Sequence, residues 1–134
     1  MKDISTSIVK LDAADKTSGK SKYINTIDSQ GILHGKKIRS QHAKAKIMSI
    51  KYPELPEGYY IVDYTDIPGK NYIKMILEDW KIFAEDEVNH YLEPIALLLG
   101  PDKEIVQTLV DQVEIEYQVE VPEFEFNDSA IHYH

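Results

Sequence analysis

The 134-residue chain is predicted to be α+β, with strands in the majority, and three neighbouring stretches carry that prediction. From Val113 to Val121, apolar and glutamate or glutamine side chains alternate without a break, the pattern of a strand with one buried and one solvated face. Immediately before it, Ile105, Val106, Leu109, Val110 and Val113 share one helical stripe. Gly100-Pro101-Asp102 supplies its start, through Pro101 in the first turn or Asp102 as the cap, so one clear amphipathic helix is expected near residues 101–112. Earlier still, Pro94 leads into Ile95-Ala96-Leu97-Leu98-Leu99, which reads as a strand buried on both faces.

The remaining elements follow in chain order. Residues 1–22 are rich in Ser, Thr, Asp and Lys and are expected to be a lead-in arm, with the domain proper over 23–121 and a tail over 122–134. Ile32–Arg39 and Ala45–Ile50 read as two short strands, the second with Ile47 and Ser49 facing opposite to Met48 and Ile50. Pro53, Pro56 and Gly58 mark a turn before the aromatic, β-branched strand Tyr59–Tyr64. The loop Asp66–Asn71 closes it, since Pro68 restricts Ile67 and Gly69 permits positive φ. Ile82-Phe83-Ala84 and Val88 suggest short strands around the acidic turn Glu85-Asp86-Glu87. Pro122 shifts the phase of the final strand, so that Phe124 and Phe126 take up the apolar positions as the tail turns a corner.

Composition excludes several functions. Hydrophobic residues at 43% and charged residues at 28% are ordinary for a globular chain of one domain. With no cysteine there can be no disulfide, thiolate zinc site or cysteine-held iron–sulfur cluster in this chain. The longest strongly apolar run, Ile95 to Leu99, is far short of the ~20 residues of a membrane span. Met1-Lys2-Asp3-Ile4-Ser5 has no apolar core behind its lysine, so no secretory leader and a cytoplasmic location are expected. The net charge of −8 divides unevenly: residues 1–51 carry +7 and residues 52–134 carry −15. Interleaved strands would neutralise that asymmetry locally, and with Arg39 the only arginine, nucleic acid is not an expected partner.

No motif carries chemistry by itself. Gly19-Lys20-Ser21 lacks the first glycine of a phosphate loop, since Ala14 stands there. The five histidines form no i, i+4 pair, and His132 with His134 is a terminal pair suited to adventitious chelation. Glu114, Glu116 and Glu120 fit a solvated strand face, and Glu85-Asp86-Glu87 fits a polar turn ahead of a magnesium site. Trp80 and the nine tyrosines are expected to be core and interface material, and nothing resembles a nucleophile elbow.

The order of motifs is informative as a whole. Asp12–Tyr23, then Gly31-Ile32-Leu33-His34-Gly35 with Ile38-Arg39-Ser40-Gln41-His42-Ala43, then Asp66-Ile67-Pro68-Gly69-Lys70-Asn71, Phe83-Ala84-Glu85-Asp86-Glu87-Val88 and Glu93-Pro94-Ile95-Ala96 occur in sequence before the helix and final strand. This succession, over roughly residues 12–121, resembles the amino-terminal α/β hammerhead domain of the large, molybdenum-binding subunit of xanthine dehydrogenases and aldehyde oxidases. The resemblance implies a non-catalytic scaffold that packs against the molybdopterin-binding domains of the same enzyme and its other subunits. Molybdopterin-bound molybdenum, iron–sulfur clusters and FAD are then expected elsewhere in the parent oxidoreductase, and none in this chain. Gly31, Gly35, Arg39, Ser40, His42, Pro68, Gly69 and Pro94 are the expected structural motif, the glycines and prolines setting turns and Arg39 and His42 satisfying polar groups. Gln41, Lys44, Leu92 and Glu93 depart from the family pattern. Leu92 stands at a usual glycine, and because leucine tolerates positive φ poorly that turn is expected to be built differently. The rival expectations are a free-standing interaction module and a weak polyanion binder using residues 1–51. A deep polar pocket lined by Arg39, His42 and a carboxylate would argue against a purely structural role.

Overall fold

The computed structural model describes residues 8–24, 27 and 30–125. They fall into two compact units, within Met1–Ile32 and within Leu33–His134. In the first, α1 (Ala13–Thr17) is a single short turn of helix. The amides of Lys20 and Ser21 both donate to the Asp15 carbonyl, at 2.9 and 3.0 Å. Gly19-Lys20-Ser21 thus closes a helix end, its amides already engaged.

The second unit is built on antiparallel pairs. Its strands are β1 (His34–Arg39), β2 (Ala45–Lys51), β3 (Tyr60–Val62), β4 (Tyr72–Ile73), β5 (Trp80–Lys81), β6 (Glu87–Val88), β7 (Pro94–Gly100) and β8 (Glu114–Val119), with α2 (Lys103–Asp111) between the last two. They form sheets in the order β1-β7-β3 and β6-β2-β8, and a β4-β5 ribbon. The α+β class predicted from the sequence is the one observed.

β7 is the centre of the first sheet, and its alternate faces are both covered, with Ile95, Ala96, Leu98 and Gly100 buried. That is why its sequence is a continuous apolar run and not an alternation. α2 starts at Asp102, whose carboxylate accepts from the amides of Glu104 and Ile105. Its Val106 and Leu109 pack with Ile38, Tyr59, Ala96 and Leu98 in one core cluster. A second cluster joins Ala45, Ala84, Val88 and Ile95, and Ile115 of β8 packs against both. Ile105, on the expected apolar stripe, is instead nearly half exposed.

Several sequence expectations need correction. In β2 the register shifts between Ile47 and Ser49, leaving Met48 as an exposed bulge. The extra residue resets the alternation, so Ile47 and Ile50 pack on the same core and do not face opposite ways. The final strand ends at Val119, with Val119 and Val121 both exposed. Ile82–Ala84 is not a strand; Phe83 and Ala84 are buried in an irregular bend. There the Asn71 side chain replaces a strand partner, donating to the Phe83 carbonyl at 2.7 Å and accepting from its amide at 3.1 Å. Tyr64–Asp66 leaves the strand for a 3-10 turn closed by a reciprocal Asp63–Asp66 cap. Gly69 does not use the left-handed region, whereas Gly58, in the turn before β3, does, at φ 84°. Phe126, His132 and His134 lie outside the described residues.

Part of the charge asymmetry is offset across strands. Lys46 pairs with Glu120 and Lys51 with Glu114, while the Ser49 hydroxyl donates to Glu116. Basic side chains of the first half thus lie opposite acidic ones of the second on one solvated face.

Candidate functional site

Arg39, Ser40 and His42 come together where β1 ends, opposite the turn that leads into β7. The fully buried Ser40 donates its amide to the Glu93 carbonyl at 2.9 Å, and its carbonyl accepts from the Leu92 amide at 3.1 Å. Its hydroxyl accepts from the His42 amide and donates to the His42 carbonyl, at 3.0 and 2.9 Å, fixing the corner that follows. Arg39 reaches across, Nη1 donating to the Leu92 carbonyl at 2.7 Å. The His42 ring stands edge-on to Tyr117, with centroids 4.9 Å apart. Pro94 pairs with Arg39, and its carbonyl accepts from the Ala84 amide at 2.7 Å. Gly35 lies opposite Leu99, where an added Cβ would meet the Leu99 side chain at 2.9 Å. Ile67 before Pro68 is extended, Gly31 is left-handed, and Gly69 stands in open space.

The 89–93 turn does not avoid positive φ as expected. Leu92 adopts φ 64°, the left-handed backbone itself, with its side chain substantially exposed. The hydrogen bonds to Ser40 and Arg39 on its amide and carbonyl, and the buried Glu93 carboxylate accepting from the Asn89 amide at 2.5 Å, hold the turn in that shape.

A half-open cleft of about 380 Å³ opens beside this corner, lined among others by Arg39, Gln41, His42, Asp111 and Tyr117. It combines Arg39, His42 and a carboxylate, but it is half-open and not the deep pocket that would argue against a purely structural role. Both charged side chains already have partners: Arg39 the Leu92 carbonyl, and Asp111 the Gln107 amide at 2.7 Å. The Tyr117 hydroxyl is buried with no hydrogen-bond partner among the described residues. Burial raises its pKa above the usual tyrosine value, and the nearby Ser40 hydroxyl offsets part of the rise.

On the other side of the turn, Trp80, Asn89, His90 and Glu93 line a second depression of about 400 Å³. Trp80, expected in core or interface, is 59% exposed, so it is no core residue. The β4–β5 ribbon also exposes Ile73, Met75, Ile76 and Leu77. Trp80 and Tyr91 are expected from the sequence only as core or interface material, and the structure leaves both exposed together with Leu92.

The acidic turn is used structurally. Glu85 accepts from Asn71 and pairs with Lys81, and Glu87 accepts from Asn89. Among the described residues no three His, Asp or Glu side chains gather into a metal-holding group. With no cysteine in the chain, the donors of the described residues do not fit a resident metal or cluster. Among the described residues no helix is long and apolar enough to cross a membrane.

The polar groups of the Arg39–Ser40–His42 corner and of the Asn71–Phe83 bend are engaged in hydrogen bonds to backbone. The family pattern for the α/β hammerhead domain of aldehyde oxidase and xanthine dehydrogenase matches residues 18–121, and the chain belongs to that family. It is similar to a probable xanthine dehydrogenase component of Bacillus subtilis strain 168, with 29% identity over 82% of this chain and 15% of the relative. It is equally similar, at 29% over 82% of this chain, to the nicotinate dehydrogenase large molybdopterin subunit of Eubacterium barkeri, of which it spans 27%. Quinoline 2-oxidoreductase from Pseudomonas putida 86 shares the fold, with a TM-score of 0.75 at 20% identity over 87% of this chain and 16% of that one. The chain therefore spans between about a seventh and a quarter of these proteins.

Proposed function

We propose that the chain is a non-catalytic scaffold of a molybdenum hydroxylase, packing against the enzyme's molybdopterin-binding domains and holding them in place. The observation that carries this reading is the match of one domain family to residues 18–121, almost the whole of the described chain, against relatives several times longer. In that role Gly31, Gly35, Ser40, Pro68, Gly69 and Pro94 shape the backbone, and Arg39 and His42 lock the corner that faces the neighbouring domains. Molybdopterin, iron–sulfur clusters and FAD belong to the rest of the parent enzyme. Polyanion binding is disfavoured by the pairing of Lys46 and Lys51 with glutamates.

The test is the native mass of the protein in extracts of its source cells. Elution far above 15.4 kDa together with molybdenum is the expected result. Elution near 15.4 kDa, free of molybdenum, overturns it in favour of a free-standing interaction module.

A further inference from the structure

We infer that the end of the domain carrying the β4–β5 ribbon and the 89–93 turn is the face on which the molybdopterin-binding portion of the parent enzyme docks, anchored by Trp80, Tyr91 and Leu92. This rests on the scaffold reading and names its surface.

Three independent features converge there. The first is exposure: Trp80, Tyr91 and Leu92 are 59%, 63% and 46% exposed, Trp80 lining the depression with Asn89, His90 and Glu93 of the same turn, and Met75 and Ile76 are exposed on the adjoining ribbon. Aromatic residues set beside an arginine, here Arg39 on the Leu92 carbonyl, are the composition of interface hot spots.

The second is preorganisation. Glu78 accepts from the Tyr72 hydroxyl at 2.6 Å and pairs with Lys70 and Lys74, while Asn71 ties the ribbon's base to Phe83. The ribbon is thus braced by its polar groups while its apolar ones face outward, which lowers the ordering cost of binding. Lys70 and Lys74 pair with Glu78 and Lys81 with Glu85, giving the patch a charged rim.

The third is the backbone of Leu92. Glycine makes a left-handed turn without strain, whereas leucine there is strained and, being exposed and in neither core cluster, adds nothing to the interior. What leucine adds is apolar surface at a fixed position.

The occupant follows from where the chain leaves the sheet. Val88 pairs with Ala45, and Ala45 with Val119, so the end of β8 lies two strands, about 10 Å, from the start of the 89–93 turn. The segment after β8, with Val121 and Phe124 exposed, departs from this same end. Relatives of which this chain forms 15% and 27% carry the bulk of their length outside the matched region. A chain leaving beside this patch, in relatives with most of their length elsewhere, supports the molybdopterin-binding portion as its occupant.

The test is hydroxyl-radical footprinting of the native assembly beside the isolated chain, read by mass spectrometry at Trp80, Met75 and Tyr91. Oxidation of these residues is expected to fall by about tenfold in the assembly. Trp80→Ala and Leu92→Gly should each weaken retention of the chain in that assembly by about tenfold, although Leu92→Gly relieves the strained backbone. An assembly that forms with these residues oxidised as in the isolated chain overturns the surface while leaving the scaffold reading intact. A chain found without any molybdopterin-binding polypeptide overturns both. Self-association of the isolated chain that Trp80→Ala abolishes overturns the assignment of the occupant, in favour of a second copy.

Discussion

Leu92 and Leu98 sit six residues apart and are treated in opposite ways. Leu98 is fully buried in the central strand of its sheet, under α2 and among Ile38, Tyr59 and Val106. Leu92 is nearly half exposed, in a backbone conformation that leucine disfavours. The same contrast separates the regions around them. Between β7 and α2, apolar side chains are used to make the fold; around the β4–β5 ribbon and the 89–93 turn, polar side chains make the fold and apolar ones are left over. In this chain hydrophobicity marks two different things, and only the hydrogen-bond pattern tells them apart.

The sharpest way to break the comparison is at its buried pole. Leu98→Ala should lower stability by about 3–4 kcal/mol, since a fully enclosed leucine loses both its transfer energy and its neighbours' contacts. Urea unfolding followed by circular dichroism measures it, and a loss below ~1 kcal/mol would mean that the β7–α2 layer is not the core. Gly100→Ala comes next. A Cβ there would lie 2.2 Å from the buried Tyr59 ring, and an aromatic ring wedged in a core cannot swing aside as a long side chain can. A loss of about 1–3 kcal/mol is expected from the same unfolding curves.

The buried pole is also the part that is legible in the sequence. Ile95–Leu99, the Asp102 cap and the stripe of Val106 and Leu109 state their roles locally, because continuous burial and helical periodicity each leave a pattern in the residues themselves. The bulge at Met48 leaves none: an inserted residue changes which face every later side chain takes, and only pairing with β8 reveals it. The Phe83 bend is illegible for a related reason, since its partner is the side chain of Asn71, twelve residues away in the sequence. At the candidate site the motif names Arg39, Ser40 and His42, but their meeting with the 89–93 turn is visible only in the fold. The backbone of Leu92 is not legible either, because the penalty on one residue type does not decide a backbone that the neighbouring hydrogen bonds from Ser40, Arg39 and Glu93 already determine.

Leu92→Gly tests the exposed pole, with the opposite sign. Relief of left-handed strain should raise stability by about 1 kcal/mol, net of the extra freedom that glycine gives the unfolded chain. The midpoint of thermal unfolding should rise by a few degrees. A fall instead would show that the Leu92 side chain contributes to the interior, and the distinction between the two leucines would collapse.

The smallest effect separates two tyrosines in the same manner. Tyr52 packs against the β7–α2 core and Tyr117 lines the cleft beside His42, and each has a buried hydroxyl with no partner among the described residues. Burial first, and then the carboxylates of Asp63 and Asp66, push Tyr52 from its usual 10.0 to about 12; Tyr117 is raised by burial, against the pull of Ser40. A raised phenol means that the folded state holds its proton more tightly than the unfolded one. The corresponding stability is complete below pH ~10 and is lost as the pH climbs toward ~12. Urea midpoints measured across that window should therefore decline in the native chain, and Tyr52→Phe should flatten the decline more than Tyr117→Phe. An equal flattening by both would place the Tyr117 phenol in surroundings as closed as the core, and the distinction between the cleft beside His42 and the interior would collapse.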